Sequence, residues 1–208
     1  AEVSYRLSNR GAGVLRGWVM KGPARHVEVE AYRFVPGGEA TLGRTLTDAD
    51  GAFELALAEY AGPVLLRARA AAEPPDGARS GYLDEARGAV DWPVGRELLA
   101  VLPEFDSASE SNPAVVVTPF SDLAWALANA PGWSQEAPVA AYRAALTAVG
   151  EHLGLEQPVE SLLHARPADF RSASDGLTLD DPDRVMIALA CFSEQAAGLG
   201  AAAFPENP

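Results

Sequence analysis

The stretch that most constrains the fold runs from Thr45 to Leu57 and continues through Pro63–Arg69. Its centre, Asp48-Ala49-Asp50-Gly51, carries the Asp-Gly pair typical of tight turns, where glycine supplies a backbone conformation that side-chain-bearing residues avoid. After the turn, Phe53, Leu55 and Leu57 alternate with Glu54, Ala56 and Ala58. That period of two belongs to a strand buried on one face. The reading is a hairpin of Thr41–Thr47 and Ala52–Ala58. A further strand, Val64–Ala70, follows the Gly62-Pro63 break, with Val64, Leu66 and Ala68 inward and Arg67 and Arg69 outward.

Other strands read the same way. Val14–Met20 alternates and stops at Lys21-Gly22-Pro23. Val27–Phe34 places Val27, Val29 and Ala31 opposite Glu28 and Glu30, then loses its alternation, so a bulge is expected near Ala31–Tyr32. Glu73–Gly81 reads as a loop, Tyr82–Asp91 as a segment that turns at Gly88, Leu98–Leu102 as a strand, Glu104–Asn112 as a loop and Ala114–Val117 as a short β segment.

The pattern then changes. Thr118-Pro119 is a helix start, with Thr as cap and Pro in the first turn, and Phe120, Leu123, Ala124 and Leu127 share a helical face. Helices are expected at Pro138–Leu153 and Pro158–Ala165, and from Asp181-Pro182 to about Gly198. Strands first and helices afterwards specify an α+β chain. It divides into an antiparallel β-sandwich over residues 1–117 and a helical region over 118–208 that packs on it, with Trp125 as a candidate contact to the sheet.

Several segments together resemble the carboxypeptidase-regulatory-like (transthyretin-like) β-sandwich of exported bacterial surface proteins and lipoproteins. They are Gly13–Val19, Gly22-Pro23, Val27–Tyr32 and Thr47–Phe53, followed by Gly81–Gly88, Val117–Ala124 and the Ser-containing helix Ile187–Ala197. The resemblance implies a non-catalytic binding or scaffold module, without cofactor, in the bacterial periplasm or at the cell surface. Its partner would be a protein or a surface polysaccharide, and any membrane anchor would lie in a segment outside this sequence. Two other roles fit the same resemblance. One is a surface-filament subunit that self-assembles, with Glu2–Ser8 adding a strand to a neighbour. The other is an accessory domain of an exported hydrolase.

Composition narrows the chemistry. With 16 Lys+Arg against 29 Asp+Glu, the net charge is -13, which argues against nucleic-acid partners because phosphate binding needs clustered cations. Lys21 is the sole lysine and Cys191 the sole cysteine, so an internal disulfide is ruled out. Cys191 reads as a buried thiol. Asp48 and Asp50 offer two hard oxygen ligands and are the calcium candidates, yet a turn feeding a strand explains them as well. Asp84-Glu85 with Asp91 forms a weaker acidic cluster. His26, His152 and His164 lie far apart, and no nucleophile elbow, P-loop or His-Glu-x-x-His motif occurs. Trp18, Trp92 and Trp133 are the candidate binding surface.

Overall fold

The computed structural model describes residues 13–35, 38–57, 59–74, 77–84, 87–130, 138–168 and 179–198. The chain is α+β, and the described residues form ten strands followed by four helices. One layer is the sheet β10-β1-β5, formed by β1 (Gly13–Val19), β5 (Ala52–Leu57) and β10 (Val115–Val117). The other is the four-stranded sheet β4-β3-β6-β9, formed by β3 (Val27–Val35), β4 (Gly38–Leu46), β6 (Ala61–Ala70) and β9 (Glu97–Asp106). A small third sheet joins β2 (Ala24–Arg25), β7 (Gly81–Asp84) and β8 (Gly88–Asp91). Pairing is antiparallel except where β10 runs parallel to β1.

Alternation decides which side chains meet between the layers. Leu15 and Val19 of β1 and Phe53, Leu55 and Leu57 of β5 join Val27, Val29 and Ala31 of β3, Val64, Leu66 and Ala68 of β6, and Leu98, Ala100 and Leu102 of β9 in one core. The register of β3 against β4 shifts between Ala31 and Tyr32 as expected, but the extra residue is Leu42 of β4, and β3 itself runs in unbroken register with β6.

The Asp48–Gly51 turn is as tight as expected, but it does not close a hairpin. β4 pairs with β3, whereas β5 pairs with β1 in the opposite layer. The turn therefore carries the chain across the sandwich, and the two strands meet through side chains. A Cβ on Gly43 of β4 would lie 3.2 Å from Leu55 of β5. Gly51 adopts φ +75°, and a Cβ there would lie 2.6 Å from the Val19 carbonyl oxygen. That carbonyl belongs to β1, whose Val19 N–H donates to Gly51 O at 2.8 Å. Docking on β1 draws the chain away from β4 immediately after the turn. Gly62-Pro63 likewise does not separate strands: it sits inside β6, where the register against β9 shifts.

The helices are α1 (Pro119–Ala128), α2 (Pro138–His152), α3 (Pro158–Leu163) and α4 (Asp181–Gly198). Thr118 caps α1 as expected: its hydroxyl accepts from the N–H groups of Phe120 and Ser121, and Ser121 Oγ returns a bond from the Thr118 N–H. Phe120, Ala124 and Leu127 of the apolar stripe of α1 lie on the core as expected, but Leu123 does not. Leu123 is 40% exposed, while Ser121 and Asp122 are buried. The start of α4 also differs. Asp180 accepts from the Asp183 N–H, and Asp181 instead reaches across to the entry of α3, where it accepts from the Glu156 and Gln157 N–H groups and the Ser161 hydroxyl. Burial acts to raise the Asp181 pKa, but these bonds and Arg184 prevail and hold it below the ordinary carboxylate range.

The outer face of the four-stranded sheet explains where the helices dock. Across β3 and β6 it carries Glu28, Glu30, Arg67 and Arg69, which pair with one another or with Glu97. Across β6 and β9 it carries Leu65, Leu99 and Val101, all buried although they point away from the sandwich core. α1 and α2 cover that apolar part. Trp125 of α1 meets Phe34 of β3 edge to face, with ring centroids 5.5 Å apart, so Trp125 does contact the sheet. Buried residues of α1, α2, α3 and α4 belong to the same continuous core as the sandwich. Burying each such side chain contributes roughly 1.5–3 kcal/mol.

Candidate functional site

Two polar centres are buried where the helices meet the strands. The first is built on the edge of β9. In the order β4-β3-β6-β9 this strand has no strand neighbour on one side among the described residues, and α1 closes that side with polar side chains. Ser121 Oγ donates to Leu99 O at 2.8 Å, and Asp122 Oδ1 accepts from the Leu99 N–H at 3.2 Å. An open edge would leave these backbone groups unpaired. Asp122 is 1% exposed. Burial is the main cause that pushes its pKa up to about 7; the Leu99 N–H opposes this and Glu97 adds to it. Its other oxygen, Oδ2, is buried without a hydrogen-bond partner. Tyr142 of α2, also fully buried, donates its hydroxyl to Ser121 O at 3.3 Å, and burial raises its pKa.

The second centre is Lys21. β1 ends at Val19, and Met20 bridges to Pro23 around a Lys21-Gly22 turn in which Gly22 has φ +62°. The turn sends the only lysine of the chain into the interior, where its side chain has no solvent exposure. Lys21 Nζ lies 3.5 Å from Asp84 Oδ2 at the end of β7, and Asp84 is equally sealed. Nζ also hydrogen-bonds Ser193 Oγ on α4 and sits 5.7 Å from the centre of the Tyr82 ring. The carboxylate is fixed from its other side, since Asp84 Oδ1 accepts from the Arg87 N–H at 2.9 Å. Ser193 Oγ in turn donates to Leu189 O at 2.9 Å. Three segments far apart in sequence thus converge on one ammonium. Their residue types gave no signal for this, because a lone Lys, an Asp beside a turn and a Ser in an Ala-rich helix are each unremarkable alone.

The residues singled out from sequence are dispersed. Asp48 Oδ1 accepts from the Asp50 and Ala52 N–H groups, both at 2.9 Å, so this carboxylate organises the turn. Asp50 is exposed on it. No group of three or more His, Cys, Asp or Glu suited to a metal ion occurs among the described residues. Asp84 and Asp91 form no cluster: Asp84 faces Lys21, whereas exposed Asp91 pairs with Arg79. Trp92 is not a surface residue. It is 4% exposed, packs edge to face on Tyr82 and donates Nε1–H to Arg96 O. Trp18 is half-buried beneath the Arg166 guanidinium, which comes from the helical region. Trp133, Glu85 and Glu2–Ser8 lie outside the described residues. Cys191 is exposed rather than buried, because α4 turns Leu189 and Ser193 inward instead. His152 is exposed and His164 Nδ1 is hydrogen-bonded with Ala114 O, so each has its own setting.

An open groove of about 480 Å³ is lined by Glu28, Arg44, Thr45, Leu46 and Ala71–Glu73. Within that lining, Arg44 lies 3.9 Å from the Glu28 carboxylate, which also pairs with Arg69. No described helix is long and apolar enough to cross a membrane.

No protein-family model matches the chain, and no curated protein is similar to it. Among solved structures, a 9R-lipoxygenase from Cyanothece PCC8801 is similar over 58% of this chain and 20% of that one, at 14% identity and a TM-score of 0.32. A likeness this slight identifies neither fold nor activity.

Proposed function

We propose that the chain is a non-catalytic binding or scaffold module of a bacterial cell-envelope or surface protein, built on a transthyretin-like sandwich. The observation that supports this reading is the sealing of its densest chemistry. Lys21, Asp84 and Ser193 would be the natural acid, base and nucleophile of a catalytic site, yet all three are buried against one another. A reacting group must come within hydrogen-bond reach of its substrate, and no substrate reaches a centre without solvent access. Among the exposed carboxylates, Asp48 organises a turn and Glu54 and Asp91 make surface ion pairs, which suits a rigid presenting unit.

The test has two arms. Intact cells expressing the natural gene product are treated with an external protease, and the protein is followed by antibody. The reading expects it to be exposed or in the envelope fraction, and confinement to the cytosol contradicts it. The purified chain is also assayed on ester, peptide and glycosidic substrates. Turnover that disappears in Ser193→Ala would overturn the non-catalytic assignment.

A further inference from the structure

The polar seam between the first turn of α1 and the β9 edge is made at one residue. Ser121 Oγ donates to the Leu99 carbonyl, and Asp122 Oδ1 accepts from the Leu99 N–H. We propose that Asp122 is a proton-gated latch: while its carboxyl carries a proton the first turn of α1 stays seated on the β9 edge, and loss of that proton lets the turn lift from Leu99 while the sandwich stays folded. The rest of α1 remains anchored by buried Ala124 and Ala128 and by the Trp125–Phe34 contact, so the movement is confined to the polar end.

The geometry gives a charge on Asp122 little support. Oδ1 receives one backbone N–H, while Oδ2 is buried without a hydrogen-bond partner. A buried carboxylate needs several donors or a cation, whereas the neutral acid tolerates such a site far better. The surrounding elements do not supply that cation. β9 brings Glu97, whose negative charge opposes ionisation, and the Arg67 guanidinium of β6 is paired with Glu97 at 3.1 Å. α2 brings Tyr142, which burial keeps neutral and which donates to Ser121 O. Arg143, Glu151 and His152 of the same helix are exposed. On α3, Glu160 is exposed, and His164 just beyond it is held on Ala114 O. β10, Val115–Val117, carries no titratable side chain.

Lifting the turn hydrates the carboxyl and returns it to its ordinary range. Below about pH 4 the seated and lifted states both hold the proton. Between there and about 7, the seated state keeps a proton that the lifted state has released. Opening then increases about tenfold per pH unit. Above about 7 both states are ionised and the dependence ends. Opening frees the N–H and C=O of Leu99, the kind of unpaired strand edge to which another strand adds. The latch belongs to the chain itself and holds whatever the module binds.

The test is amide hydrogen exchange of the full chain, read residue by residue by NMR from about pH 5 to about pH 9. Hydroxide catalysis alone raises an exchange rate about tenfold per pH unit, and a proton-linked opening adds a second factor of about ten. The Leu99 amide should be less protected than that of Val29 in β3, which is paired on both sides, and should respond little to low urea, because a local opening exposes little surface. Its rate should rise about a hundredfold per pH unit below about 7 and about tenfold above. In Asp122→Asn the rise should be about tenfold throughout. The carboxyl-carbon shift of Asp122 in the wild-type protein supplies a readout that needs no variant: its titration midpoint should coincide with the change of slope. A single slope of about tenfold at Leu99 across the whole wild-type range overturns the proposal, as does a change of slope that persists in Asp122→Asn. Exchange at Leu99 that matches Val29 in protection and urea response also overturns it, because the seam would then open only when the whole protein unfolds.

Discussion

Asp122→Asn should stabilise the protein at neutral and alkaline pH, although it removes a charge from a helix N-terminus, where acids are ordinarily favourable. The carboxyl ionises near 7 in the fold and at 3.8 in the unfolded chain, chiefly because it is buried. Between these values the folded state holds a proton that the unfolded state has released. Stability from this group is therefore complete below about pH 4 and falls as pH rises, until it is lost above about 7. At ~1.4 kcal/mol per pH unit, the window corresponds to on the order of 4 kcal/mol as an upper bound. Asparagine mimics the protonated acid: its carbonyl keeps the bond from the Leu99 N–H, and it cannot ionise. The assay is urea unfolding of both proteins at about pH 4 and about pH 8, with the m-value as a check on the unfolded state. The variant should match wild type at the lower pH and exceed it by about 1–4 kcal/mol at the higher. Asp122→Ala should be less stable than wild type at the lower pH, because the Leu99 N–H is then left buried and unpaired at a cost of about 1–3 kcal/mol, and relief from the buried charge should offset that loss at the higher pH. An Asn variant less stable at pH 8, or a difference that does not change with pH, refutes the burial account of this carboxylate.

Other expectations follow from the turn and the cap. Gly51→Val should cost on the order of 1–3 kcal/mol in chemical denaturation from the positive φ alone, with more from the approach of the Val19 carbonyl. Thr118→Ala should cost about 1 kcal/mol by the same measurement, since two α1 N–H groups lose their acceptor. Calcium should leave the melting temperature unchanged, because Asp48 Oδ1 is committed to two backbone N–H groups. A clear rise that vanishes in Asp48→Ala would show a metal site at the turn.

What the sequence disclosed was set by local interactions. The Thr118 cap and the positive φ at Gly51 each depend on a few adjacent residues, and each was legible; the irregularity at Ala31–Tyr32 was legible in place, but its extra residue, Leu42, belongs to the partner strand. The partner of β5 was not. An Asp-Gly turn is the same whether the next strand returns beside its predecessor or crosses to the facing sheet, and the choice rests on β1, more than thirty residues upstream. The docking face was written in Leu98–Leu102, whose unbroken apolar run marks a strand buried on both sides, but a run alone does not say what covers it. The stripe of α1 was legible at Phe120, Ala124 and Leu127 but not at Leu123. Its polar residues Ser121 and Asp122 also face inward to satisfy the edge of β9, which the apolar stripe did not foretell. The Lys21 centre was least visible, because its members are spread from Lys21 to Ser193 and only tertiary structure joins them.

The central claim is that the sandwich and the helices share one core, secured at the β9 edge and at Lys21. Differential scanning calorimetry tests it most directly. The account predicts one unfolding transition whose calorimetric and van't Hoff enthalpies agree. Two resolved transitions, or cleavage in the segment after β9 that releases a sandwich and a helical fragment each folded alone and not associating, would contradict it.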